Sequence, residues 1–292
     1  MNVKDLKIKA GDIELHVVDY GGSGSDTILL VHGLTANARY WDAVAERLVD
    51  QYRVIAVDLR GRGDSEKPVT GYYDLWQYAW DIKEFLETMQ LDQVILMGHS
   101  MGAMTGVVFA SQFPEKLYRL ILVDGGVELE QEDLVEVGKA LSFRLDTLGK
   151  VFPSWQSFLN LMKKSSNHQD WNDYIERYFW HDLRHNDDGS VISKTPRHVV
   201  FPFEQRPASL DEIGKKIQVP TLLLQASLGL KYSEGQAIVV QPQKGKNFVS
   251  QLPEGSRFVQ IEEANHHSII LNHYEKLVDE VKRFLQNSIS GN

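Results

Sequence analysis

The sequence predicts an α/β architecture: a mostly parallel, eight-stranded sheet flanked by helices, with a helical lid inserted after the sixth strand. Three observations carry this expectation. Short β-branched or leucine-rich runs alternate with longer stretches of helical spacing, the pattern of a sheet covered on both faces. Gly98-His99-Ser100-Met101-Gly102 stands between an apolar run at 94–97 and a small-residue stretch at 103–108, where a buried strand must turn abruptly into a helix. One long segment, residues 127–206, breaks the alternation.

Taken in order, residues 6–10 and 13–19, separated by Gly11-Asp12, read as an opening antiparallel hairpin. Residues 27–31, 53–58, 94–97, 119–123, 221–226 and 257–261 read as buried strands. Helical spacing runs through 39–49, 75–89 and 101–113. A last helix places Tyr274, Leu277, Val278, Val281 and Leu285 on one stripe. The interrupting segment offers no parallel strand but is rich in aromatics at helical intervals: Phe143, Phe152, Trp155, Phe158, Trp171, Tyr174, Tyr178, Phe179, Trp180, Phe201 and Phe203. Asn186-Asp187-Asp188-Gly189 marks a tight turn inside it, and Pro196, Pro202 and Pro207 break the chain on its way back to the sheet. The expected organisation is a core domain of residues 1–126 and 207–292 with a lid at 127–206. No internal repeat or low-complexity tract is visible.

Composition narrows the function classes. With 292 residues, 42% hydrophobic and 24% charged, the chain has the make-up of a globular protein with a sizeable core. A net charge of -9 and the lack of any basic run argue against a nucleic-acid partner. With no cysteine there are no disulfides, no thiolate catalysis and no cysteine-ligated metal. Residues 1–16 mix charge with apolar side chains where a secretory peptide needs an unbroken apolar segment, and no run approaches membrane-spanning length. The expectation is a cytoplasmic protein, monomer or homodimer, with a small-molecule substrate, no membrane partner and no cofactor or metal; neither H-E-x-x-H nor an acidic cluster is present.

The strand-to-helix turn at Ser100 suggests acyl chemistry. Such a turn strains the serine backbone and pushes its hydroxyl into the open, and glycines at 98 and 102 remove the Cβ atoms that would collide there. A nucleophilic serine needs a base, a group to orient the base, and donors for the developing oxyanion. Ala264-Asn265-His266-His267 follows the last strand and so emerges at the same sheet edge. His266 is the expected base and His267 the alternative; His99 lies too close to Ser100 to fold back on it and should line the wall. The backbone N–H groups of Met101 and Leu34, the latter in His32-Gly33-Leu34 after the third strand, are the expected oxyanion donors.

Four landmarks together resemble an α/β-hydrolase of the compact esterase-like superfamily over nearly the whole chain. They are Val31-His32-Gly33-Leu34, the loop from Asp58 to Ser65 (Asp58-Leu59-Arg60-Gly61-Arg62-Gly63-Asp64-Ser65), the Ser100 elbow, and Ala264-Asn265-His266 before an amphipathic terminal helix. The resemblance implies that the loop from Asp58 to Ser65 is structural, with Asp58 and Arg60 organising turns. It also implies a triad acid after the strand at 221–224, in a pattern ending G-x-x-D, yet here Gly229 stands where the acid would fall. Some relatives take the acid from the end of the preceding strand, which makes Asp124 the expected acid and Glu234 the reserve. A serine at the elbow argues against epoxide opening and dehalogenation, which in this superfamily use an aspartate. The expected function is therefore hydrolysis of a carboxylic ester of a small to medium, partly hydrophobic substrate through an acyl-enzyme on Ser100. Lactone hydrolysis or C–C cleavage on the same triad is the alternative, a small-peptide amidase comes next, and a non-catalytic ligand receptor of the same fold is the reading from another class. Gly33, His99, Trp155 and Trp180 are the expected substrate-binding residues. The lid arginines Arg144, Arg177, Arg184 and Arg197 are all candidates to hold a substrate carboxylate.

Overall fold

The computed structural model describes residues 3–165, 167–168, 170–200 and 209–286. Its first strands are β1 (Lys4–Ala10), β2 (Ile13–Gly21) and β3 (Thr27–Val31), followed by a 3₁₀ turn at Ala38–Trp41 that leads into helix α1 (Asp42–Leu48). The one continuous helix expected at 39–49 is thus split, because Asn37 caps the 3₁₀ turn through its side chain. Then come β4 (Arg53–Val57), α2 (Leu75–Thr88), β5 (Val94–His99), α3 (Met101–Gln112) and β6 (Leu117–Val123). After β6 the chain leaves the sheet for α4 (Gln131–Leu145), β7 (Val151–Phe152), α5 (Trp155–Met162), α6 (Asp173–Asp182), β8 (Leu183–His185) and β9 (Val191–Ser193). It returns through α7 (Leu210–Gly214), β10 (Thr221–Ala226), β11 (Leu230–Tyr232), β12 (Gly235–Ala237), α8 (Pro242–Val249), β13 (Arg257–Ile261), α9 (Ser268–Leu271) and α10 (Tyr274–Gln286).

Eight strands form one sheet in the order β1-β2-β4-β3-β5-β6-β10-β13. The opening hairpin and the β2–β4 pair are antiparallel; every later pair is parallel. Successive side chains on a strand face opposite sides, and here both sides are apolar. Leu29, Val31, Leu96, Leu120 and Leu122 pack with α2 and α3, while Ile28, Leu30, Ile95, Met97 and Ile121 pack with α1 and α10. Such two-sided burial forces the polar, reactive groups to the strand ends.

The segment between β6 and β10 is not purely helical, as the sequence suggests. It also carries a small antiparallel sheet in the order β7-β9-β8. Its hairpin closes at the expected turn, where Gly189 N–H donates to Asn186 C=O at 3.0 Å with Gly189 in the left-handed region. Strands this short carry no detectable period, which is why only the turn was readable. Phe201, Phe203, Pro202, Pro207 and the expected boundary at 206/207 lie outside the described residues. None of the described helices is long and apolar enough to cross a membrane.

The loop after β4 is held by charge. Asp58, 2% exposed, accepts from Ala38 N–H at 2.6 Å, from His16 Nδ1–H at 2.7 Å and from Asp64 N–H at 2.8 Å. Arg60 is equally buried and grips Asp81 of α2 through Nε and Nη2 at 2.6 and 2.7 Å. Removing one partner of a buried pair strands the other's charge. Asp81→Asn should therefore lower unfolding free energy by about 3–5 kcal/mol in urea titrations; a loss below about 1 kcal/mol would show that Asp12, the exposed second partner of Arg60, suffices alone.

Candidate active site

Four strands of the main sheet deliver this site from their C-terminal ends, where open α/β sheets bind ligands. β5 delivers Ser100. Its backbone sits at φ 55° and ψ -120°, outside the ordinary regions for a serine, and its hydroxyl makes no capping bond to α3. The bend is enforced from both sides: Ser100 N–H donates to Val123 C=O at 3.0 Å, and a Cβ at Gly98 or Gly102 would lie 2.2 Å from the Gly102 or Val31 carbonyl oxygen. A side chain at either position would open the elbow.

β6 delivers Asp124, itself at φ 42°. Its N–H donates to Leu224 C=O at 2.7 Å, and its Oδ1 accepts from Ala226 N–H at 3.0 Å, so β10 fixes the carboxylate. The second oxygen accepts from His266 Nδ1–H at 2.7 Å. That bond leaves Nε2 of His266 as the basic nitrogen. His266 comes from the loop after β13, where Asn265 Oδ1 accepts from His267 N–H and Ser268 N–H at 2.9 and 2.8 Å and sets the turn. His99 Nε2–H donates to His266 C=O at 2.9 Å, with the two rings 4.5 Å apart, which braces the loop from the elbow side.

β3 delivers Gly33 and Leu34. A Cβ at Gly33 would lie 3.2 Å from Ser100 Cβ, which measures how closely this turn approaches the elbow. Its shape is held by His32, whose Nδ1–H donates to Gly33 C=O at 2.7 Å while Nε2 accepts from Leu59 N–H at 3.0 Å, and by Arg62 Nε–H donating to Leu34 C=O at 3.1 Å. Met101 opens α3, so its N–H belongs to the first turn, which has no acceptor within the helix.

A cleft open to solvent at its mouth brings Ser100, His99, His266, Gly33 and Leu34 together with Tyr40, Arg144, His168, Tyr178 and His267. His267, the alternative base, lies in the same cleft but contacts Tyr40 Oη at 3.3 Å instead of the acid. Glu234 sits in the β11–β12 turn, its side chain 76% exposed and 3.9 Å from Lys139, with no part in the cleft. Trp155 and Trp180 do not line the cleft either. They pack edge-on against each other at 5.4 Å, with Trp180 over His185 on the outer face. α6 turns Tyr178 and Phe179 inward, and a residue one further on is rotated by about 100°, which leaves Trp180 47% exposed. Tyr40, His168 and Tyr178 were not expected in the site. His168 lies on irregular backbone with no period, Tyr40 falls in the 3₁₀ turn where the sequence suggests a continuous helix, and Tyr178 is one of many aromatics at helical spacing.

The model describing the alpha/beta hydrolase fold matches residues 26–273. The chain belongs to the α/β-hydrolase fold family. It is 34% identical over 146 residues to 2-(acetamidomethylene)succinate hydrolase of Mesorhizobium japonicum, covering 50% of each chain. It is 35% identical over 135 residues to Karrikin insensitive 2 receptor B of Petunia hybrida, covering 41% of this chain and 50% of the receptor. The chain thus spans about half the length of these curated relatives. The crystal structure of E-2-(acetamidomethylene)succinate hydrolase superposes with a TM-score of 0.80 at 23% identity, over 98% of this chain and 100% of that one. This is a likeness of fold.

The site is rich in neutral imidazole. Burial pushes His32 down to about 4, burial with the Arg144 charge does the same to His168, and burial also drives His99 and His267 well below the usual value. A folded pKa below the unfolded one means stability is complete above about pH 6.5 and is lost as pH falls toward 4. For His32 alone the span is about 3 kcal/mol. His16, which Asp58 holds above its usual value against the effect of burial, and Asp42, Asp81 and Asp182, which burial raises, act in the opposite sense and are outnumbered by the six lowered imidazoles, His181 and His273 included. Urea denaturation at steps from pH 7 to 4.5 should show stability falling throughout; a flat profile would mean these rings titrate in the fold as they do in the unfolded chain.

Proposed function

We propose that this protein is a serine hydrolase that cleaves a carboxylic ester through an acyl-enzyme on Ser100. One observation carries the reading: an imidazole on a buried carboxylate, in the same cleft as a serine on a strained elbow. In the first step His266 Nε2 takes the Ser100 proton as Oγ attacks the ester carbonyl. Met101 and Leu34 N–H groups receive the oxyanion, and the alcohol leaves with the proton carried by the imidazolium. Water repeats the sequence on the acyl-enzyme and releases the acid. Asp124 keeps His266 in the tautomer that presents a bare Nε2 and stabilises the imidazolium. A succinate-derivative hydrolase among the relatives supports a hydrolytic reading, and the chemistry extends to lactones.

The receptor reading has a relative in its favour, yet its sequence argument was the missing acid at Gly229, and Asp124 stands at bonding distance from His266. Incubation with p-nitrophenyl acetate and butyrate, beside a lactone panel and a fluorophosphonate probe, separates these readings. Turnover with label on Ser100, both lost in Ser100→Ala, is the expected result, and neither appearing would leave the receptor. Asp124→Asn should lower kcat about 10³–10⁴-fold, while Glu234→Gln should change it less than about twofold. The reverse ranking would remove Asp124 from the triad.

A further inference from the structure

The chain carries 40 acidic against 31 basic residues, yet among the described residues no aspartate or glutamate lines the cleft. What lines it instead is one arginine and four histidines. Arg144, in the last turn of α4, is 8% exposed. Its Nη2–H donates to Asp182 at 2.6 Å and Nη1–H to Thr147 Oγ1, but its Nε–H has no acceptor among the described residues. His168 lines the same wall with a buried Nδ1 that also has no partner among the described residues. A buried donor without an acceptor is costly and uncommon, about 1–3 kcal/mol, so the Arg144 Nε–H, beside a second buried nitrogen without a partner on the same wall of a reactive cleft, points to an occupant that accepts. The other lid arginines are used elsewhere: Arg177 pairs with Asp42 and Glu46, Arg184 bonds to Asn186, and neither they nor Arg197 line the cleft.

We propose that the substrate carries a carboxylate, which Arg144 and His168 bind while Ser100 attacks a second carbonyl of the same molecule. This rests on the serine-hydrolase reading for its chemistry but not for its binding site. The charges behind the wall are already committed, Asp182 to Arg144 and Asp124 to His266, so an incoming anion meets donors and no facing carboxylate. A charge-assisted bond from guanidinium to carboxylate is the strong kind, and a neutral isostere cannot make it.

The test compares monoethyl glutarate with ethyl pentanoate as substrates, and 4-phenylbutyrate with 4-phenylbutanamide as ligands by calorimetry. The wild-type protein should favour the anion in each pair by about tenfold or more in kcat/KM and in Kd. Arg144→Gln should cut that preference about 10- to 100-fold. Because that variant leaves Asp182 unpaired, Arg144→Lys, which keeps a cation there but has no Nε–H, and the double variant Arg144→Gln/Asp182→Asn are measured beside it; both should lose preference while retaining native circular dichroism. Equal use of acid and neutral partner by the wild type, or full anion preference in the folded variants, would overturn the proposal. Absence of any ester turnover would instead count against the hydrolase reading, while the calorimetry still decides whether the anion site exists.

Discussion

The bend at Ser100 is the constraint on which the rest of the site depends. A serine at positive φ persists only where its surroundings over-determine it. Here β6 holds its amide, the Gly98 and Gly102 backbones let neighbouring carbonyls come close, and α3 begins without using its hydroxyl. The second strained residue, Asp124, follows on the next strand and is pinned by β10 in the same fashion. Strain at two adjacent strand ends places a hydroxyl and a carboxylate on one sheet edge, pointing out of a core that admits neither.

Electrostatics then sorts the polar groups. Asp124 and Asp182 are both nearly sealed from solvent, and each has one cationic or protonatable partner, His266 and Arg144. The remaining imidazoles are kept neutral by burial, so the cleft presents nitrogen donors and acceptors without a crowd of like charges. One layer away Arg62 holds Leu34 C=O, while Asp58 and Arg60 fix the loops after β3 and β4. The expected turn-organising role of both residues corresponds to these bonds.

Much of the fold was legible because its signals are local. The eight strands were placed to within a few residues, since fully buried strands are short apolar runs between turn residues, and the amphipathic stripe of α10 has a clear period. The nearness of Ser100, Asp124 and His266 was legible for a related reason: the first two directly follow strands, His266 lies in the loop after β13, and strand ends on a parallel sheet share an edge. The three strands among the helices between β6 and β10 were not legible, because two or three residues carry no period. Trp155 and Trp180 misled because aromatic content reports burial or contact without saying on which face of a helix it falls.

By itself, the sequence determined the sheet, the elbow and the chemical type of the residues at each strand end, because these follow from short-range pattern and backbone sterics. Only the tertiary structure decided which acid meets which histidine, and which of four arginines faces the cleft. His266 and Asp124 stand 142 residues apart, and their meeting depends on strand order and on a bond from β10 that no local window contains. The same holds for Arg144, whose position is set by Asp182 across two helices. Long-range pairing of this kind is a property of the packed fold, since each partner alone is an ordinary charged side chain.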